Sequence, residues 1–358
     1  MQKTAIVCVT NDLCTDNRVH KVCLTLQKCG YFVILYGRYL PDSKPLHRPY
    51  FIERKKHWFN RGPLFYAEYN IRLFIYLILS ESNLIIANDA DTLPAAYYAA
   101  RLKRKRLVFD AHELFSEVPE LANRPFVKKI WQKIEDFFIP RVNESYTVCN
   151  SIASYFNKYL TDTKVIRNIP LLRTTHYSDK LSYPGKKIIL YQGALNVGRG
   201  IEWVIDAMPL IDNAVFVIIG DGDIRAKLEK QVTQLNLSEK VIFKGKINAE
   251  DLHAYTVCAN LGLCLLENLG LNYYYSLPNR IFDYMHAGVP VLATDFPEIS
   301  TVVNEYESGY LINSYEPVYL AGVISDILNE PVDKQHFERI SQDLCWENEE
   351  KKLMQIIQ

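Results

Sequence analysis

Short apolar runs alternate with amphipathic stretches twice along the chain, and a segment with little periodicity separates the two series. The runs predict strands at residues 4 to 9, 31 to 36, 83 to 87, 106 to 110 and 144 to 148, and again at 187 to 192, 215 to 219, 241 to 244, 261 to 266 and 290 to 293. Strands separated by helix-length amphipathic segments belong to parallel sheets flanked by helices, not to bundles or sandwiches. The expected fold class is therefore α/β, with two doubly wound, Rossmann-like domains facing a cleft. The break is expected within residues 168 to 186, around Pro170 and Pro184-Gly185. Between the first two strands, Asp16 is placed to cap a helix whose inward face is Val19, Val22, Cys23 and Leu26, ending at Gly30.

Ligands of open parallel sheets bind beyond the carboxyl ends of the strands. That rule collects Asp16 and Arg18 after the first strand, Asn88-Asp89 after the third, and Asp110, His112 and Glu113 at the fourth. In the second series it collects the turn from Gly193 through Gly198 and Arg199 to Gly200, then Gly220-Asp221-Gly222, and the segment from Tyr275 and Ser276 to Asp283. The most informative of these is Ser276-Leu277-Pro278-Asn279, which opens a short helix stopped by Gly288 ahead of an apolar strand. Unpaired amides at such a start attract phosphate. Asn279, Asp283 and His286 share one face of that helix, so a polar stripe with an acid suited to ribose hydroxyls is expected to lead away from the anion site. At the glycine turn, bare backbone admits a pyrophosphate and Arg199 supplies a fork of donors.

The helix with its Ala-Gly-Val-Pro-Val exit, together with Asp16-Asn17-Arg18-Val19-His20, Asp110-Ala111-His112-Glu113 and the Tyr191 to Gly200 turn, resembles the retaining, nucleotide-sugar-dependent glycosyltransferases of the GT-B fold (glycosyltransferase family 4-like), in that family's order over most of the chain. The resemblance implies a 1–168 acceptor-side domain, a 169–340 donor-binding domain, and a 341–358 helix crossing back to the first, with Trp346 as its anchor. It implies that His112 touches the transferred sugar, with Asp110 beside it and Glu113 orienting the acceptor, and that Asp16 and Arg18 lie on the acceptor side. Donor contacts would come from Gly193, Gly198, Arg199, Gly220, Lys246, Tyr275, Ser276, Leu277, Pro278, Asn279 and Asp283. Two departures stand out. Tyr275 and Asp283 occupy the places of two glutamates, and Ala194 stands where many relatives have arginine. By the same resemblance the co-substrate is a UDP- or GDP-linked sugar, the acceptor a glycan, lipid-linked glycan or small hydroxyl compound, configuration is retained, and neither metal nor other cofactor is needed.

Composition narrows the alternatives. The 41 lysines and arginines are balanced by 41 aspartates and glutamates, which disfavours a bulk polyanion such as nucleic acid as the main partner. The 8 cysteines show no CxxC pair or zinc-like spacing, and no signal peptide opens the sequence, so a cytoplasmic location is expected, with the inner face of the cell membrane as a further option. The apolar run Leu73 to Leu79 is too short to span a bilayer and is expected to be a buried helix, with interfacial membrane contact as the secondary reading. The basic run Arg101 to Arg106 is expected to be a solvated helix end, or else a contact for anionic lipid or an acceptor pyrophosphate, joined by Arg54-Lys55-Lys56 if folding brings them together. Asp89-Ala90-Asp91 and Asp221-Gly222-Asp223 match a metal-binding DxD in letters only. Two other functions remain open at this level: a sugar-nucleotide-binding relative without turnover, suggested by Tyr275 and Asp283, and a dinucleotide-dependent oxidoreductase, against which the first strand-turn carries no GxGxxG.

Overall fold

A computed structural model describes residues 2–14, 16–41, 43–121, 123–159, 162–173 and 178–358. Part of the segment where the domain break is expected, residues 174–177, lies outside the described residues. By its contacts the chain divides into two compact units, residues 1–168 with 270–272 and 348–358, and residues 169–269 with 273–347.

The first unit is built on a parallel sheet of strands β1 (Thr4–Cys8), β2 (Phe32–Arg38), β3 (Phe51–Lys55), β4 (Leu84–Asn88), β5 (Arg106–Ala111), β6 (Glu144–Thr147) and β7 (Lys164–Val165), in the order β3-β2-β1-β4-β5-β6-β7. The second has β8 (Lys187–Gln192), β9 (Ala214–Ile219), β10 (Val241–Gly245), β11 (Leu261–Cys264), β12 (Val291–Thr294) and β13 (Gly309–Ile312), in the order β10-β9-β8-β11-β12-β13. The central strands are apolar without interruption, as burial on both faces requires. β4 is buried along its whole length and β9 likewise. In each sheet the order reverses beside the first strand, which places a ligand crevice at the carboxyl ends of β1 and β4 in one unit and of β8 and β11 in the other.

Three strands lie beyond the sequence expectation, and each is short or half-exposed: β3 at a sheet edge, the two-residue β7, and β13. The helix Asn17–Lys28 forms as expected, with the Asp16 carboxylate accepting the Val19 amide at 3.0 Å. The helix expected over 341–358 instead falls across two, the end of Lys334–Asp343 and Trp346–Ile357. Trp346 is buried and its amide donates to the Pro170 carbonyl at 2.8 Å, both within the second unit. What holds residues 348–358 in the first unit is polar. Glu350 accepts from Thr25 at 2.8 Å and from Lys28 at 2.7 Å, Glu349 accepts the Arg167 amide, and Arg106 donates to the final carbonyls at Ile356 and Ile357.

Two sequence expectations are corrected here. The Leu73 to Leu79 run sits in the helix Gly62–Leu79, where Leu73 and Leu77 are buried but Ile75 and Leu79 are 51 % and 81 % exposed. The helix therefore has one apolar face in the core and a second facing water. The basic run is likewise split: Lys103 donates to the carbonyls of Leu77, Ile78 and Ser80, closing the end of that neighbouring helix, and Arg106 is forked onto Glu144. Arg54 lies on edge strand β3, four strands from β5, and pairs with Asp12 at 3.1 Å, so it does not extend the basic surface. No helix among the described residues is long and apolar enough to cross a membrane.

Candidate functional site

At the carboxyl end of β5, Asp110 is fully buried and holds two cations. Arg18 reaches it with Nη2 at 2.7 Å and Nε at 3.2 Å, while its Nη1 donates to the Ile166 carbonyl at 2.9 Å. Every nitrogen of that guanidinium is thus engaged inside the unit, and Asp16 is occupied by its helix cap and by Asn11. Both thus hold the framework, and Arg18 positions Asp110. Burial would push the Asp110 carboxyl up, but Arg18 and then His112 outweigh it and hold it well below the usual carboxylate range.

His112 sits between two acids. Its Nε2 is 3.2 Å from Asp110 Oδ2 and its Nδ1 3.6 Å from Asp89 Oδ2, while its backbone amide donates to Asp89 Oδ1 at 2.8 Å. Its side chain remains 22 % exposed, so a ligand can reach it. Burial opposes the charge on the ring, yet Asp110 and then Asp89 raise its pKa to about 9. Asp89 serves this role from a left-handed backbone conformation, φ 58°, which aspartate tolerates better than most residues and which marks a functional site more often than a chance strain. Around the ring lie two further acids, each pushed up to about 7 by burial and by the Asp89 charge. Asp91 accepts the Thr10 hydroxyl at 2.6 Å, and Glu113 accepts the Asn272 side-chain amide at 3.1 Å. Asn272, whose Oδ1 accepts the Leu114 amide at 3.0 Å, carries no signal in the sequence.

In the second unit the turn after β8 is built by close backbone contact. A Cβ on Gly220 would lie 1.8 Å from the Gly193 carbonyl oxygen, and both glycines have positive φ, 141° and 135°. Only bare backbone fits there. Gly193 is exposed just past the carboxyl end of the central strand β8, Gly198 is buried against Leu269 and Tyr273, and Arg199 lies over the Tyr273 ring at 4.6 Å with its Nε lacking a partner among the described residues. Lys246 is exposed at the end of β10, two strands from β8.

The helix Asn279–His286 starts at Pro278 and is stopped by Gly288, as its sequence predicts. Tyr284 fixes it to the crevice, donating to the carbonyls of Leu190 on β8 and Leu263 on β11 in space that a side chain on Gly262 would fill. Gln192 donates to Asp283 at 3.0 Å and accepts from Thr256 at the end of the helix Ala249–Thr256, so the acid is oriented by a β8 residue that a helix holds in place. Asn279 is exposed beside it. His286 is not part of the polar stripe: it is buried, with Nε2 2.7 Å from the Leu344 carbonyl, where it ties two helices together. Ser276 is also committed locally, its amide and hydroxyl both directed at the Tyr273 carbonyl, which leaves the anion-facing role to the amides from Leu277 onward. Tyr275 packs beside Tyr274. One residue absent from the sequence expectation enters here: Arg280, buried, with its guanidinium 4.5 Å from the Tyr191 ring centre.

Residues 173–343 match the family described as glycosyl transferases group 1. Among curated proteins the chain is 25 % identical over 242 residues to a chitobiosyldiphosphodolichol beta-mannosyltransferase of Candida albicans, covering 59 % of this chain and 52 % of that protein. It is 24 % identical over 231 residues to a Campylobacter jejuni alpha-1,4-N-acetyl-D-galactosaminyltransferase named for an undecaprenol-linked acceptor, covering 60 % and 58 %. The chain thus spans about half the length of the curated relatives it matches. In fold it superposes on sucrose-phosphate synthase from Thermosynechococcus elongatus with a TM-score of 0.80 at 19 % identity, covering 99 % of this chain and 98 % of that one. It superposes on Anabaena HepE, solved in complex with UDP, at 0.72 and 15 %, covering 99 % of each. The chain has the GT-B glycosyltransferase fold, and its second unit contains most of the residues that match the group 1 glycosyltransferase family.

Proposed function

We propose that the chain is a glycosyltransferase that moves a sugar from a nucleoside diphosphate to a hydroxyl of a glycan or lipid-linked glycan, retaining configuration and using no metal. The observation that supports it most is the bare-backbone turn at Gly193 and Gly220, with Arg199 beside it, at the switch point of a group 1 glycosyltransferase domain. As the bond from the anomeric carbon breaks, the leaving diphosphate gains charge on the released β-phosphate oxygen, and amides at the start of the Asn279–His286 helix together with the Arg199 fork stabilise it. Asp283, held by Gln192, takes the ribose hydroxyls, and His112 faces the sugar. The test is a panel of UDP- and GDP-sugars assayed in EDTA, with the product anomer read by NMR. Transfer in EDTA with the donor's anomeric configuration is expected; NAD-selective thermal stabilisation, metal dependence or the opposite anomer would overturn the corresponding part. Arg199→Ala should weaken nucleoside diphosphate binding by about 1.5 to 3 kcal/mol, the scale of charged hydrogen bonds, with little change in melting temperature.

A lipid-linked acceptor is favoured by a surface of the first unit. Leu64, Ile71, Ile75 and Leu79 recur at helical spacing along Gly62–Leu79 and all are more than half exposed. Leu102 is exposed on the adjoining helix Leu93–Lys103, where Arg101, Arg104, Lys105 and Arg141 line one depression. An apolar stripe edged by cations is the chemistry of contact with an anionic bilayer. Cosedimentation with anionic phospholipid vesicles is expected, weakened by salt and by the double change Ile75→Glu, Leu79→Glu. Binding to neither anionic nor neutral vesicles would remove the membrane from this reading.

A further inference from the structure

A cation buried without a counter-ion costs free energy, and a fold that retains one commonly has a ligand to pair with it. Arg280 is 8 % exposed, no carboxylate among the described residues pairs with it, and its Nη1 has no hydrogen-bond partner there. Its neighbours are the Tyr191 face on β8, the Cys264 thiol on β11 and Tyr284, so the guanidinium lies at the crevice between β8 and β11. Above it is Gly193. A Cβ built on that exposed glycine would sit 3.4 Å from Arg280 Nη2 and 3.5 Å from its central carbon. The bare α-carbon therefore leaves the guanidinium reachable through the turn.

Resting on the glycosyltransferase reading, we propose that Arg280 is a second diphosphate-binding cation, meeting the anion from beneath the Gly193 turn while Arg199 meets it from the turn's far end. The arrangement explains the residue's chemistry. A diphosphate carries more than one negative charge, and Arg199 alone supplies one. Stacking on Tyr191 holds the guanidinium plane fixed, so little side-chain freedom is lost when the ligand binds. The position next to Asn279 also makes one helix turn contribute both a backbone anion site and a side-chain cation.

The test is calorimetric titration of the full chain with inorganic pyrophosphate, UDP, GDP and the corresponding nucleosides, for the native sequence, Arg280→Met and Arg280→Lys, alongside melting temperatures. Arg280→Met is expected to lose 10- to 100-fold in affinity for diphosphates, to leave nucleoside binding within twofold, and to melt no lower than the native protein because an unpaired buried charge is gone. Arg280→Lys, which keeps charge but not the fork, should fall between. Equal diphosphate affinity in Arg280→Met and the native protein, or collapse of the fold in Arg280→Met, would overturn the proposal and make Arg280 a framework residue. If the native protein binds pyrophosphate in an Arg280-dependent way but no nucleoside diphosphate, the cation site stands and the glycosyltransferase reading fails. If UDP or GDP binds undiminished in Arg280→Met, the glycosyltransferase reading stands and the Arg280 inference fails.

Discussion

Asp110→Asn is expected to destabilise the first unit by about 3 to 5 kcal/mol, the cost of removing one partner from a buried ion pair. The carboxylate is fully buried and neutralises Arg18 on one side and His112 on the other. Without it, the Arg18 charge remains unpaired in a region that excludes water, and it cannot relax outward because Arg18 is also bound to the Ile166 carbonyl. Denaturant unfolding measures the loss; a change below about 1 kcal/mol would mean that the pair is solvated in a way its burial does not suggest. The pH dependence follows from the direction of the shift. Since the folded state holds the Asp110 carboxyl below its unfolded value, its stabilisation is present in full above about pH 4 and is lost as pH falls through the depressed value.

His112→Ala is expected to lower transfer by roughly 100-fold or more, the scale of losing a preorganised electrostatic group, while nucleoside diphosphate affinity changes little. The ring is charged at neutral pH because Asp110 and Asp89 together overcome its burial, and its titration at about 9 can be followed by NMR. The shift is upward, so the stability it contributes is complete below about pH 6.5 and disappears as pH rises through 9. Transfer should decline over the same upper range. Asp89→Asn keeps a residue that tolerates φ 58° but removes one carboxylate, and should move the histidine's titration downward without unfolding the unit. A histidine that titrates at its ordinary value in the native protein would contradict the arrangement.

Most of the framework was legible because central parallel strands must be apolar throughout. β1, β4, β8 and β9 announce themselves as runs such as Leu84-Ile85-Ile86-Ala87. Edge strands need bury only one face, so Phe51-Ile52-Glu53-Arg54-Lys55 reads as a charged loop until its pairing with β2 is seen. The same limit applies to chemistry. His112 and Arg199 stand at strand ends, where the topology rule finds them, whereas the hold that Asp89 has on His112 depends on a backbone angle that letters do not encode. Arg280 was missed for a related reason. An arginine at a helix start ordinarily faces water, and only the Tyr191 ring and the bare Gly193 turn it inward. His286 failed in the opposite sense: helical spacing placed it correctly on a face, but the far end of that face is covered by the segment at Leu344.

The residues that finish the first unit follow the second unit in chain order. Glu349, Glu350 and the carbonyls at Ile356 and Ile357 supply partners to Arg167, Thr25, Lys28 and Arg106. A nascent chain emerging from the ribosome therefore exposes residues 1–168 with those groups unsatisfied throughout translation of the second unit. Chain order and folding order part company: the second unit can close while the first still awaits its final helix. Chaperone dependence and truncation before residue 348 should accordingly damage the first unit, although the removed residues follow the second.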